Sequence, residues 1–478
     1  MKIAFAFVCL WLATGVSVAK EDANVQIITL DPGHFHAALV QKFMLPGVSP
    51  RVLVFAPEGD DVVQHLKRVE GFNQRAADAT KWEEVVYTGP DYLDRAMQLH
   101  SAPVNSLTRA ADSVDRASGA GARGAVAPPS PTIVVISGNN ARKSEYITRS
   151  IASRYHVLAD KPMVIRPVDL PKLEAAFAAA KQNGVMLYDI MTERFEITTL
   201  LQRELSMQKE LFGVLEKGTP DDPAISKISV HNFSKVVAGA QLKRPQWFFD
   251  PDQQGAGIVD VTTHLVDLVQ WEAFPDVSLK RTDARVLSAR RWPTALTLEQ
   301  FGRVTGATAF PDYLSKYIKD GVLQAPANGE FTYTLKGVHA KVSVTWDFEA
   351  PAGAGDTHFS VMRGTKASLT IKQGKEQGFK PALYVERNAS VPAAAHEKAL
   401  RDAVAAVAKN YPGIDLRAEG DHFLVVVPDR YHNGHEAHFT QVTENFLKYL
   451  RAGKLPDWEV PNMLTKYATI MQAYELSR

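Results

Sequence analysis

Three residues carry the chemistry this sequence can be read for: Lys161, Asp260 and His264. Lys161 stands in Asp160-Lys161-Pro162, directly after the apolar run His156-Val157-Leu158-Ala159. A lysine at the end of a buried strand, beside a rigid proline, is held against whatever occupies the space beyond that strand. An amine so placed can exchange a proton with a bound hydroxyl. Asp260, His264 and Asp267 recur at i, i+4 and i+7 in the stretch 254–271, which opens Gln254-Gly255-Ala256-Gly257. That spacing predicts one shared helical face, with Val261, Leu265, Leu268 and Val269 on another. An acid and an imidazole one turn apart suit proton transfer, and they suit a plain buried hydrogen bond equally well. Lys161, taken alone, also reads as a surface turn lysine.

The elements around these residues follow two rhythms. Apolar runs at 25–30, 51–56, 84–87, 132–136, 156–159 and 185–190 read as strands. They alternate with helical patterns at 37–44, 62–70, 91–99, 144–154 and 170–182. Such alternation predicts a doubly wound parallel sheet. Residues 101–131 interrupt it with Ala, Ser, Gly, Arg and Pro, the composition of a flexible surface insertion. A helix over 194–215 is expected to lead into the second half. There, period-two alternation dominates at 225–233, 279–289, 329–335, 340–348, 358–363, 367–372 and 382–385. It predicts an open, mostly antiparallel sheet with helices on one face, closed by helices at 438–452 and 462–477. The expected fold class is therefore α/β plus α+β, with domains at 20–190 and 191–478.

Length and composition agree with two soluble domains: 478 residues, 45% hydrophobic and 22% charged. Residues 1–19 differ. Lys2, a short apolar core and the ending Val16-Ser17-Val18-Ala19 read as a secretory signal peptide cleaved after Ala19. Cleavage removes Cys9, the single cysteine, and so removes disulfide and thiol chemistry. It also removes Lys2 and takes the formal charge from +1 to zero. A neutral chain gives no electrostatic case for nucleic acid or anionic membrane as partner. No twin-arginine pair is present near the start, so export in the unfolded state to the periplasm or beyond is expected.

Ligands of a doubly wound sheet bind beyond the carboxyl ends of its strands. Asp31-Pro32-Gly33-His34-Phe35-His36 stands there, where G-x-G-x-x-G marks a dinucleotide site, and only Gly33 matches. Its conformational freedom still allows backbone N–H groups to approach a pyrophosphate. Glu58 lies near the expected offset for a ribose acceptor, and no arginine follows it closely, which favours NAD over NADP. A tight turn and a solvated acid explain Gly33 and Glu58 as well. Tyr188, Glu193 and Arg194 follow the last strand of the first half, within reach of a substrate. Trp247 could stack on a sugar ring, and packing roles suit all four equally. His432, His435 and His438 invite a metal reading, but a polar loop entering a helix explains them, and no metal is assigned. Trp346, on an alternating strand, reads as core.

Val157-Leu158-Ala159-Asp160-Lys161-Pro162-Met163 resembles the H-V-x-x-E-K-P strand of the Gfo/Idh/MocA oxidoreductases, with Asp for Glu. Residues 132–140 resemble that family's fourth strand and its T-P-N-type loop, here Ser137-Gly138-Asn139-Asn140. Gly255-Ala256-Gly257 with Asp260 and His264 resembles its G-G-x-x-x-D-x-x-x-H helix. Trp458-Glu459-Val460-Pro461-Asn462-Met463 resembles the branch with the putative oxidoreductase C-terminal domain. The resemblance implies a Rossmann domain, a sheet domain that builds homo-oligomers, and hydride transfer between NAD(P) and a sugar, glycoside or cyclitol carbon. It gives Lys161 and His264 the proton, Asp260 their orientation, and Ser137, Asn140, Asp160, Lys161 and Pro162 places near the cofactor. His34 and His36 would replace the contacts of the lost glycines, and Lys143 stands where many members have histidine. Two alternatives remain: a redox-cycling glycoside lyase or hydrolase with tightly held NAD, and a non-catalytic sugar-binding module on a degenerate Rossmann scaffold.

Overall fold

The computed structural model describes residues 25–99, 131–237 and 240–477. The signal-peptide stretch 1–19 and the insertion, except Pro131, lie outside these residues.

Six short apolar runs form the first sheet: β1 Gln26–Leu30, β2 Arg51–Ala56, β3 Glu83–Thr88, β4 Thr132–Ile136, β5 His156–Asp160 and β6 Leu187–Ile190. Their order is β3-β2-β1-β4-β5-β6, and every pair is parallel. Ile28 lies opposite Leu53 on one side and Val134 on the other. All five residues of β4 are buried, as a strand covered on both faces requires. Strand order reverses between β1 and β4, which opens a crevice at their carboxyl ends.

Two expected helices differ. The helix after β1 spans only His36–Leu39, because the amides of Gln41 and Lys42 bond back three residues to Ala38 and Leu39 and tighten the chain into turns. The long passage helix is broken into a 3-10 turn Thr192–Phe195 and helices Ile197–Ser206 and Lys209–Phe212. Glu196 sits between them in an extended conformation, and its carboxylate accepts from the Thr199 amide as an N-cap.

The second sheet has ten strands. Its spatial order is Ala284–Leu296, Val322–Leu335, Val338–Glu349, Ile225–Ser234, Thr357–Arg363, Ala367–Gln373, Ala382–Arg387, His422–Val426 and Asp415–Glu419. The short strand Ile318–Lys319 pairs with Val322–Leu335. All pairs are antiparallel except Val338–Glu349 with Ile225–Ser234. The last two strands in this order, and the helices Leu298–Thr305 and Ala393–Val407, were not expected from the sequence.

The glycine-led stretch is two helices, Gly257–Asp260 and Thr262–Ala273, with Val261 at the break. Residues 256–270 are buried throughout, which corrects the amphipathic expectation. A helix enclosed on every side must satisfy its polar residues internally. Gly257 lets the helix start touch the neighbouring strand: a Cβ there would lie 1.6 Å from the Ala327 carbonyl oxygen. The closing helices run His435–Ala452 and Glu459–Leu476, and the second packs on both Thr262–Ala273 and Ala284–Leu296. No helix among the described residues is long and apolar enough to cross a membrane.

Candidate active site

Lys161 leaves the end of β5 and Asp260 closes the first piece of the glycine-led helix. The Lys161 Nζ donates to Asp260 Oδ1 at 2.5 Å, and both side chains are buried. They line a cavity of about 820 Å³ together with His264, one helical turn on. Nδ1 of His264 has no protein partner. Burial first, and the neighbouring Lys161 charge second, lower the His264 pKa to about 3. The imidazole is neutral at ordinary pH, and its Nδ1 is open to a hydrogen bond with a ligand. Across the cavity, Glu193 meets His435 Nδ1 at 3.1 Å. Burial pushes the Glu193 carboxyl up, but His435 outweighs it, aided by His264 and His438, and holds the group well below the usual range. Phe248, Trp346 and Tyr431 add aromatic surface to the same wall. An acid–base group beside aromatic faces suits a polyhydroxylated ring. Trp346 is thus largely buried, as expected of a core residue, and also borders the cavity.

The turn after β1 forms a second polar group. Asp160 Oδ2 accepts from His36 Nδ1 at 2.9 Å and from Ser137 Oγ at 2.9 Å, while Lys143 Nζ donates to the Asp160 carbonyl oxygen at 2.7 Å. The His34 and His36 rings lie 4.0 Å apart between centroids, and His34 Nδ1 is 3.9 Å from Asp160 Oδ2. Among the described residues, His34, His36 and Asp160 are the group close enough to share one ion. His432, His435 and His438 are not such a group: His435 faces Glu193, and His438 Nε2 meets Asn433 Oδ1 at 3.1 Å. The hub role of Asp160 was missed in the sequence, although Gly-His-Phe-His at a strand end was its signal.

The same turn tests the dinucleotide expectation. Four amides of this turn and helix start are already bonded: Gly33 to Asp31 O, His34 to Ser137 O, Ala37 to His34 O, and His36 to His34 Nδ1. The space over Gly33 is filled as well. A Cβ there would lie 2.8 Å from Asp61 Oδ2 and 2.9 Å from the Trp247 ring, and Trp247 Nε1 donates to that Asp61 oxygen at 2.8 Å. An acid and an indole on the glycine do not fit a pyrophosphate docked in the ordinary way.

Several expected contacts are corrected accordingly. Gly33 and Ser137 serve the turn itself. Asn140 gives its amide to Gln253 O and its side-chain Nδ2 to Gln254 O, tying the two halves of the chain together. Glu58 is exposed and does not line the cavity, nor does Pro162. Trp247 bonds Asp61 rather than facing a sugar. Tyr188 is buried, stacked on Phe446, with its hydroxyl on Glu459. Arg194 holds Asp267 through two nitrogens at 2.6 and 2.8 Å and Glu459 at 2.9 Å. None of these three lines the cavity. Asp267, on the expected shared face, turns away to Arg194 and Lys466.

Residues 201–478 match the family model described as "Putative oxidoreductase C terminal domain". The crystal structure of a putative oxidoreductase from Parabacteroides merdae is 49% identical, with a TM-score of 0.86 over 95% of this chain and 98% of that one. The chain belongs to the family defined by this putative oxidoreductase C-terminal domain. This oxidoreductase also shares its fold with more distant structures. A mutant of a 3-ketoreductase from Actinomadura kijaniata, in complex with TDP-benzene and NADP, is 15% identical, with a TM-score of 0.50 over 93% of this chain and 95% of that one. A protein from gentamicin A biosynthesis, in complex with NAD, is 14% identical, with a TM-score of 0.52 over 95% and 94%. No curated protein matches the sequence. The turn after β1 carries His34 and His36, which face Asp160, where the G-x-G-x-x-G pattern would place glycines.

Proposed function

We propose that the oxidoreductase acts at a hydroxyl of a sugar, glycoside or cyclitol bound in the cavity, with Lys161, Asp260 and His264 handling the proton. The observation that carries this reading is the 2.5 Å Lys161–Asp260 contact beside the unpartnered His264 Nδ1 in one cavity. Lys161 directs an N–H toward the substrate oxygen, Asp260 fixes its direction, and His264 receives or returns the proton. The A. kijaniata 3-ketoreductase, solved with TDP-benzene, supports interconversion of a hydroxyl and a ketone on a small molecule. The NADP and NAD complexes of the distant structures support a nicotinamide as redox partner. The leader-like residues 1–19 support export, with a nicotinamide-type sheet over 20–190 and a substrate and oligomerisation domain over 191–478.

The filled Gly33 turn favours a second reading, a sugar-binding module without redox chemistry. Calorimetry with NAD, NADP and a panel of sugars separates the two. The first reading expects nicotinamide binding, and turnover that falls about 10²–10⁴-fold in Lys161→Ala with the circular dichroism unchanged. Sugar binding with neither nucleotide bound selects the second.

A further inference from the structure

The turn after β1 ordinarily offers amides to an anion, and here four of them are spent. What it presents instead is two imidazoles converging on a carboxylate. We propose that His34, His36 and Asp160 form a site for one divalent first-row cation, with zinc as the reference ion and its open position toward the cavity.

The ligand chemistry agrees. Two imidazoles and a carboxylate, without thiolate, suit Zn²⁺ and its first-row neighbours rather than Ca²⁺ or Mg²⁺. Three protein ligands leave a fourth position for water or substrate, the pattern of catalytic rather than structural zinc. The spacing agrees too. Two donors each about 2.0–2.1 Å from a tetrahedral ion stand roughly 3.3 Å apart. The donor atoms here lie within 4.8 Å of one another, with 2.9 Å from His36 Nδ1 and 3.9 Å from His34 Nδ1 to Asp160 Oδ2. Small ring rotations bring these to one centre.

His34 is the informative member. A hydrogen-bonded cluster needs only His36, which already reaches Asp160. His34 Nδ1, at 3.9 Å, is too far for a hydrogen bond to the carboxylate, and it accepts only from the His36 amide at 3.3 Å. A shared ion accounts for that placement. The residues behind the ligands are those such a site requires. Ser137 donates to Asp160 Oδ2, the oxygen offered to the ion, and Lys143 to the Asp160 main chain, so the position of this residue is fixed. The Lys161 charge, next along the chain, is already matched by Asp260. His34 and His36 both line the cavity, so an oxygen on the open position would lie on the Lys161 side of it.

Metal binding is readable without a substrate. Metal-stripped full-length protein is titrated with Zn²⁺ by calorimetry and with Co²⁺ by visible absorption. One equivalent is expected, with d–d bands of low-coordinate Co²⁺ and a raised melting temperature. Binding should weaken at least tenfold in His34→Gln and in His36→Gln, and stay within twofold in His432→Gln. Circular dichroism and melting of the metal-free variants check the fold. If His36→Gln does not fold, His34→Gln decides, because its ring makes no side-chain hydrogen bond to the carboxylate. Absence of saturable binding, or equal binding by wild type and His34→Gln, overturns the proposal.

Discussion

Protonating His264 would set a second cation beside Lys161 within a wall of Val261, Leu265 and Leu268. The group is near 6.5 in the unfolded chain and about 3 in the folded one. Its folded pKa is depressed, so the unfolded state takes up the proton first as pH falls. Stability from this residue is complete above about 6.5 and is lost progressively toward 3. His36 and His438, lowered to about 4 mainly by burial, act in the same direction. The melting temperature should therefore fall from pH 7 to pH 4.5, and His264→Gln should flatten that slope. Parallel curves for the two proteins would show that His264 does not titrate this way. Asp260 and His264 were legible in the sequence because their one-turn spacing is local, and Lys161 because it directly follows a buried strand; that Lys161 meets Asp260 across 99 residues was not. Tyr188, Arg194 and Trp247 were misplaced because their partners come from afar: Glu459 for the first two, Asp61 for the third. Nothing near residue 190 announces a carboxylate from the final helix.

At the scale of elements, the Lys161–Asp260 contact depends on how closely the helix start approaches the strand Val322–Leu335. Gly257 sets that distance, since any Cβ would overlap the Ala327 carbonyl, which is backbone and cannot turn aside. Gly257→Ala should cost about 1–3 kcal/mol or more by overpacking and displace Asp260 from Lys161. A lower melting temperature with reduced turnover is expected, and an unchanged crystal structure at Asp260 would contradict it. The central strands of the first sheet were readable because they bury both faces and their boundaries carry turn residues. The edge strand Asp415–Glu419 was not, because it is partly exposed and charged along its length, and its apolar neighbour His422–Val426 was missed with it. The glycine-led helix was found by its period but misjudged in its surroundings. Its polar face is turned inward, and only tertiary partners reveal that.

Across the whole molecule, one buried ion cluster joins the parts. Lys466 reaches Asp189 at 2.7 Å and Asp267 at 2.8 Å, Tyr467 donates to Asp189, and Arg194 couples Asp267 to Glu459. β6, the passage segment, the glycine-led helix and the last helix all contribute. Replacing Lys466 with Met would leave two buried carboxylates short of their cation, at a cost of about 3–5 kcal/mol. Thermal unfolding should show a clearly lowered midpoint; an unchanged one would mean the cluster is neutral. The cluster also bears on the order of synthesis. Asp189 is made 278 residues before the Tyr467 hydroxyl it accepts from. At about 5–20 residues per second, roughly a quarter of a minute to a minute passes between them. During that interval the parallel sheet has all its strands but lacks the counter-charges that close it. The final helix must therefore be present before this cluster can close.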